Sequence, residues 1–262
     1  MLACHGRMSL SYVKLIVLYL KTVNMAKLIQ ELSVFFPAYN EEENIEKTVR
    51  DAKKVLLKTA EKWEMIIVND GSKDNTLKIA QKLRKEDKRI RVVNYKVNRG
   101  YGAVVKGGLY NAKYPWIVFT DSDGQFEFSE LGKFIRTQKR TKADLVIGFY
   151  LKRKVSFMTI ATSKLWELVI FLFFGLKVKD IDCGFKLISK KVIDTIPKLE
   201  SERGAFISSE FLVKSKKAGF RIVEIGVKHY PRKAGEATGR DLNVIIKSFV
   251  DLFNLWKKLR KQ

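Results

Sequence analysis

Residues 32–70 read LSVFFPAYNEEENIEKTVRDAKKVLLKTAEKWEMIIVND, and the change of rhythm inside them decides the fold class. Residues 32–39 are a nearly unbroken apolar run, the pattern of a strand buried on both faces. Asn40 then offers an N-cap with acidic residues behind it, and Ile45, Val49, Ala52, Val55 and Leu56 recur at helical spacing. Residues 64–70 return to an apolar run. The alternation continues with a helix over 74–87, a strand over 90–95, a helix over about 102–112, a strand over 116–121, a helix near 129–139 and a strand over 143–149. Such alternation predicts an α/β fold, a Rossmann-like doubly wound, mostly parallel sheet covered on both faces.

Composition narrows the function classes. Lys and Arg number 51 against 28 Asp and Glu, a net charge of +23, so the chain is attracted to polyanions: nucleic acid, anionic lipid or phosphorylated substrates. A nucleic-acid-binding module ranks last, because the charges are spread along the chain and no recognition motif accompanies them. Two cysteines, Cys4 and Cys183, and two histidines, His5 and His229, exclude a disulfide framework and the usual zinc clusters. A reducing, cytoplasmic compartment is therefore expected.

In open parallel sheets ligands bind at the carboxyl ends of the strands. Here those ends read PAYNEEEN, NDGSKDNT, NYKVNRGYGA and TDSDGQ. Asp121 and Asp123 carry like charges two residues apart, which costs repulsion unless a positive group sits between them. They suit either an ordinary Asp-Gly turn or a hard cation such as Mg2+ or Mn2+, and the convergence of acidic strand ends favours the cation. The glycine-rich stretch NRGYGAVVKGG fails the dinucleotide fingerprint, since Val105 stands where its third glycine would fall. No Walker A sequence and no G-x-S-x-G elbow occurs.

SVFFPAYNEEENI, IIVNDGSKDNT, NRGYGAVVKGG, TDSDGQFE and DIDCGFKLISKKV, in this order over about residues 31–236, resemble glycosyltransferase family 2 and its GT-A fold. Within the family they look most like dolichyl- or undecaprenyl-phosphate sugar transferases. The resemblance implies an inverting, metal-dependent hexosyltransferase with a UDP- or GDP-hexose donor, Mg2+ or Mn2+, and a polyprenyl phosphate acceptor. By position it assigns Pro37, Ala38, Tyr39, Glu41, Asp70, Asn98, Gly100, Gln125 and Arg232 to nucleotide-sugar binding. It makes Asp121 and Asp123 the catalytic and metal-holding pair, and puts Asp182, Cys183, Gly184 and Lys233 on the acceptor side. Asn69-Asp70 and Asp121-Ser122-Asp123 stand where relatives often have Asp-Asp and Asp-Ala-Asp, and both variations keep the aspartates expected to act. Glu210 matches a family acid, with a structural salt bridge as the alternative role. A family 2 transferase with a polysaccharide or soluble acceptor is the competing expectation.

A lipid phosphate acceptor has physical support of its own. With a second pKa of about 6 it is already ionised at pH 7 and needs no general base, and none is evident. The stretch HYPRKAGEATGR (229–240) offers Arg232, Lys233 and Arg240 to phosphates. Cys183 reads as a small buried residue and not a nucleophile.

The second half changes character, and the chain divides on the sequence into three parts. Residues 1–30 form an N-terminal extension in which Met25 is an alternative start to Met1. Residues 31–236 form the transferase domain, a nucleotide-binding half over 31–150 and an acceptor and membrane-facing half over 151–236. Residues 237–262 form a basic amphipathic helix. Residues 156–176 are too apolar for an ordinary surface helix and suit membrane contact, whereas the C-terminal helix suits packing on the core or an anionic lipid surface. No run reaches the roughly 18–20 apolar residues of a spanning helix. The expected location is thus peripheral, on the cytoplasmic face of the membrane, with a separate integral membrane protein as a plausible recruiter.

Overall fold

The computed structural model describes residues 27–152, 157–202, 204, 206–231 and 242–260. The N-terminal stretch around Met25, and Arg232, Lys233 and Arg240 of the basic loop, lie outside them. The first two strands, β1 (Ile29–Ala38) and β2 (Ala60–Asp70), are parallel and flank α1 (Ile45–Thr59) in the chain, so the opening stretch folds as one unit of strand, helix and strand. Next come α2 (Thr76–Glu86), β3 (Ile90–Tyr95), α3 (Tyr101–Asn111) and β4 (Trp116–Thr120). A 3-10 turn at Phe128–Glu130 leads into α4 (Leu131–Thr141) and β5 (Leu145–Tyr150). The second half supplies α5 (Phe157–Phe174), β6 (Phe185–Ser189), α6 (Lys190–Thr195), α7 (Phe206–Lys217), β7 (Ile222–Val227) and α8 (Leu242–Arg260).

The strands form one seven-stranded sheet in the order β3-β2-β1-β4-β6-β5-β7. All pairings are parallel except those of β6, which lies antiparallel between β4 and β5. The apolar stripe of α1 packs with residues of α2 and α4 on one face, around Phe36, Met65, Phe134 and Phe185. The other face is covered by α3, α6, α7 and parts of α5 and α8, around Phe35, Ile66, Phe119 and Ile147. Helix α3 approaches closely because Gly108 has no side chain: a Cβ there would stand 2.1 Å from the Phe35 ring.

One expectation needs correction. Asn40 is not the N-cap of α1; it adopts φ 54°, and the helix starts at Ile45 after Asn44. Asn40 is instead tied across to the β2 loop, donating its N–H to Ser72 Oγ at 3.0 Å and accepting from Lys73 N–H at 2.9 Å. The half after residue 150 completes the sheet, with β6 inserted into its centre and β7 forming its edge. Neither strand has a long apolar run, and β6 carries Lys186 at its second position, a residue type rarely buried.

Candidate active site

Because β5 and β7 run parallel to β4, and β6 runs against them, one edge of the sheet gathers many loops. The ends of β1 to β5 and β7 meet the entry to β6 there. At β1, Pro37 and Ala38 sit in register with Val68 and Asn69 of β2, Tyr39 is half-buried, and Glu41 is buried. Glu41 accepts from the Asn44 amide at 2.8 Å, and its own N–H donates to Thr76 Oγ1 at 2.7 Å.

At β4 the chain turns through Asp121, Ser122 and Asp123. The spacer serine is buried, and its hydroxyl donates to the Pro37 carbonyl at 2.5 Å while its own carbonyl accepts from Thr48 Oγ1 at 3.1 Å. Ser122 is thus pinned inward between the two aspartates, and the charge of Asp123 is felt at Asp121. Asp123 accepts from the Gln125 N–H at 3.1 Å, so the stretch is also a turn. Burial, and then the charge of Asp123, push the Asp121 carboxyl up to about 7; Glu41 adds to the rise and the Lys186 ammonium opposes it.

Two features position Asp121. Its Oδ1 accepts from the Tyr101 hydroxyl at 3.2 Å, and its N–H donates to the Gly184 carbonyl at 3.2 Å. Its Oδ2 lies over Gly184, where a Cβ would stand 1.8 Å away. The Tyr101 phenol is raised well above its ordinary value, first by burial and then by Asp121, so it remains a neutral donor. Lys186 is only 2% exposed, donates to the Cys183 carbonyl and lies 5.5 Å over the Phe119 ring. Tyr101 and Lys186 were missed on the sequence. A lysine framed by apolar residues in GFKLIS was the one available signal for the latter.

At β2, Asp70 is buried and accepts from the N–H groups of Arg99 at 2.7 Å and Gly100 at 2.9 Å. It thereby seats the glycine-rich loop, in which Asn98 is exposed and Gly100 takes φ 94°. Gln125 is clasped by the chain entering the basic loop: its side-chain amide donates to the Tyr230 carbonyl at 3.1 Å and its main-chain carbonyl accepts from Tyr230 N–H at 3.0 Å. His229 packs on Tyr150 and Phe126, with ring centroids 4.4 and 5.5 Å apart.

At the entry to β6, Asp180 accepts from the N–H groups of Asp182 and Cys183 at 3.0 and 3.1 Å. Asp182 is half-buried and lends negative charge to the surroundings of Tyr101. The Cys183 thiol is fully buried and pushed up to about 12 by that burial, so it contributes packing and not nucleophilicity. Glu210 lies away from the carboxylate pair; it accepts from Lys214 at 2.6 Å and from the N–H groups of Glu200 and Ser201 at 2.8 and 2.9 Å. It holds the segment against which Gly102 and Ala103 of α3 pack.

Residues 33–196 match the family model described as Glycosyl transferase family 2. A dolichyl-phosphate beta-glucosyltransferase of Saccharomyces cerevisiae is 30% identical over 220 residues, covering 75% of this chain and 66% of that protein. A dodecaprenyl-phosphate galacturonate synthase of Rhizobium johnstonii is 29% identical over 207 residues, covering 78% of this chain and 60% of that protein. The chain thus spans less than two thirds of the length of these relatives. Among solved structures, glucosyl-3-phosphoglycerate synthase from Mycobacterium tuberculosis, in complex with Mn2+, UDP and phosphoglyceric acid, superposes with a TM-score of 0.63. It shares 19% identity, over 87% of this chain and 78% of that one, a likeness of fold: the mixed α/β arrangement known as GT-A.

Proposed function

Because the chain belongs to glycosyltransferase family 2, we propose that it moves a hexose from a nucleoside diphosphate sugar to a polyprenyl phosphate, with inversion at the anomeric carbon. The observation that carries the proposal is the convergence of the Asp121–Asp123 pair, Glu41 and the Asp70-seated glycine loop on one sheet edge. The yeast and Rhizobium relatives, whose names carry dolichyl phosphate and dodecaprenyl phosphate, support the acceptor class.

The donor set fits a small divalent cation. Asp121 and Asp123 offer hard oxygens, and their mutual repulsion is the cost a cation would relieve. Among the described residues no group of three or more potential ligands gathers, so phosphate oxygens and water would complete the coordination. When bound, Mg2+ or Mn2+ supplies charge stabilisation to the departing diphosphate. The remaining work falls to the chain. The residues around Pro37–Tyr39, Glu41, Asn98, Gly100 and Gln125 line the donor cleft, with Asp70 holding the glycine loop in place. Arg232 and Lys233 bind phosphate groups, and the Asp182–Gly184 turn borders the acceptor. An ionised phosphate oxygen attacks the anomeric carbon, a C–O bond forms, and the bond to the diphosphate oxygen breaks on the opposite side. No proton has to be removed from such an acceptor.

The same proposal puts the protein on the cytoplasmic face of an anionic membrane, with or without an integral membrane partner. Among the described residues no helix is long and apolar enough to cross a membrane. Helices α5 and α8 instead expose Leu165, Leu168, Phe171, Leu172, Phe249, Val250 and Phe253, beside Lys257, Lys258 and Arg260. Phe173 and Trp256 meet edge to face at 5.7 Å and join the two helices' apolar surfaces. Apolar side chains with basic flanks are what an interfacial surface needs.

An acceptor competition tests the proposal. Purified protein, Mg2+ or Mn2+ and a panel of labelled UDP- and GDP-hexoses are supplied with a short polyprenyl phosphate and with soluble sugars. The expected product partitions with the lipid and loses its label in mild acid, as a glycosyl phosphate does. Label in an acid-stable soluble glycoside, or donor hydrolysis alone, would contradict it.

A further inference from the structure

Tyr101 opens α3 immediately after the glycine loop, and its hydroxyl is the donor at 3.2 Å from Asp121 Oδ1. The ring is held from both sides. Its centroid lies 6.3 Å from that of Phe119, which is itself stacked on Phe35 at 5.1 Å. On the N-terminal side, the Asp70 carboxylate takes the N–H groups of Arg99 and Gly100. On the C-terminal side, Ala103 N–H donates to the Glu202 carbonyl at 2.9 Å, and Gly102 lies against the Ser201 carbonyl, where a Cβ would stand 2.6 Å away. The phenol is therefore anchored in three directions and spends its one donor on Oδ1.

A carboxylate beside a second carboxylate is pushed to rotate away or to take up a proton. Asp121 is held against rotation at Oδ1 by Tyr101, its N–H is tied to the Gly184 carbonyl, and the lack of a Cβ at Gly184 leaves room for Oδ2. We propose that Tyr101 is a positioning residue, whose hydroxyl sets the Asp121 carboxylate for a divalent cation before cation or diphosphate arrives. The proposal rests on Asp121 and Asp123 being the cation's ligands, as read above. It links the glycine loop to the cation site: whatever displaces the loop from Asp70 also releases Asp121.

The test is Mn2+ binding, followed by electron paramagnetic resonance of the free ion, with UDP or GDP present. Tyr101→Phe keeps the ring and removes the donor, and is expected to weaken Mn2+ about tenfold, the scale of one hydrogen bond to a charged group. In activity assays the apparent KM for Mn2+ should rise while kcat at saturating Mn2+ stays within about threefold. Placing 4-aminophenylalanine at position 101 keeps the ring and restores an N–H donor, so binding should return to within about threefold of wild type. If Tyr101→Phe fails to fold, this second variant decides: tight Mn2+ binding supports the proposal and a tenfold loss overturns it. Equal Mn2+ affinity in wild type and Tyr101→Phe would overturn it too, while loss on Asp123→Asn would leave the ligand assignment standing. Absence of Mn2+ binding by the wild type would overturn both.

Discussion

Between Asp121 and residue 184 there is no room for a methyl group, since a Cβ would come within 1.8 Å of Oδ2. Gly184→Ala is therefore expected to push the carboxylate out of position and leave the fold intact. A displacement of about 1 Å at a reacting centre can cost about a hundredfold in rate, and a loss of that order in kcat/KM is predicted. Near-wild-type turnover in a folded Gly184→Ala protein would refute this placement of Asp121. The aspartate pair was legible as a candidate because several acidic strand ends converge with it; alone it suits an ordinary turn as well. Its supports were not legible. Gly184 and Lys186 reach Asp121 only because β6 lies antiparallel beside β4, and Tyr101 only because α3 starts over the same edge. No local pattern in the chain reports those crossings.

A different carboxylate governs an element junction. Asp87 ends α2 and accepts from Arg89 through both its side chain, at 3.0 and 2.8 Å, and its N–H, at 3.0 Å; Lys53 lies at 2.7 Å. The Arg89 guanidinium, followed by Lys53, holds its carboxyl well below the usual 3.8 despite burial. A depressed carboxyl stabilises the folded state above its unfolded pKa and loses that contribution as pH falls through the folded value. Asp87→Asn should thus cost about 1 kcal/mol at pH 7, less than a fully buried charged hydrogen bond because Arg89 is half exposed. The difference from wild type should shrink below pH 3.8 in urea titrations, and a gap independent of pH would argue against this origin. At the helix–sheet contact, Gly108→Ala must displace the Phe35 ring, for a predicted loss of about 1–3 kcal/mol in the same titrations. An unchanged urea midpoint would show that α3 is seated less tightly than described. Strands β1, β2, β4 and β5 were readable because each carries an apolar run that the sheet buries on both faces. Strands β6 and β7 are short, and each carries a charged residue, Lys186 and Glu224, in its interior.

For the whole molecule, the proposed membrane location has the charge of +23 and the exposed faces of α5 and α8 acting together at a lipid surface. Flotation with anionic vesicles should carry the protein upward at low salt, less so as salt screens the basic residues. Leu172→Glu with Phe253→Glu should abolish flotation without lowering thermal stability, as both side chains face solvent, Leu172 at 68% and Phe253 at 44% exposure. Equal flotation of the double variant would place the contact elsewhere. The apolar character of residues 156–176 was evident in the sequence; that α8 buries Leu252 and Leu255 while exposing Phe249 and Phe253 required the packed structure. The central claim, that the Asp121–Asp123 edge drives sugar transfer to a lipid phosphate, is tested most directly by one measurement. Labelled hexose entering the solvent-extractable lipid is compared between wild type and Asp123→Asn, with Mn2+, donor and polyprenyl phosphate saturating. Transfer by the wild type that falls at least about a hundredfold in the variant, from lost stabilisation of the leaving diphosphate, is predicted. Equal transfer by both proteins would contradict it.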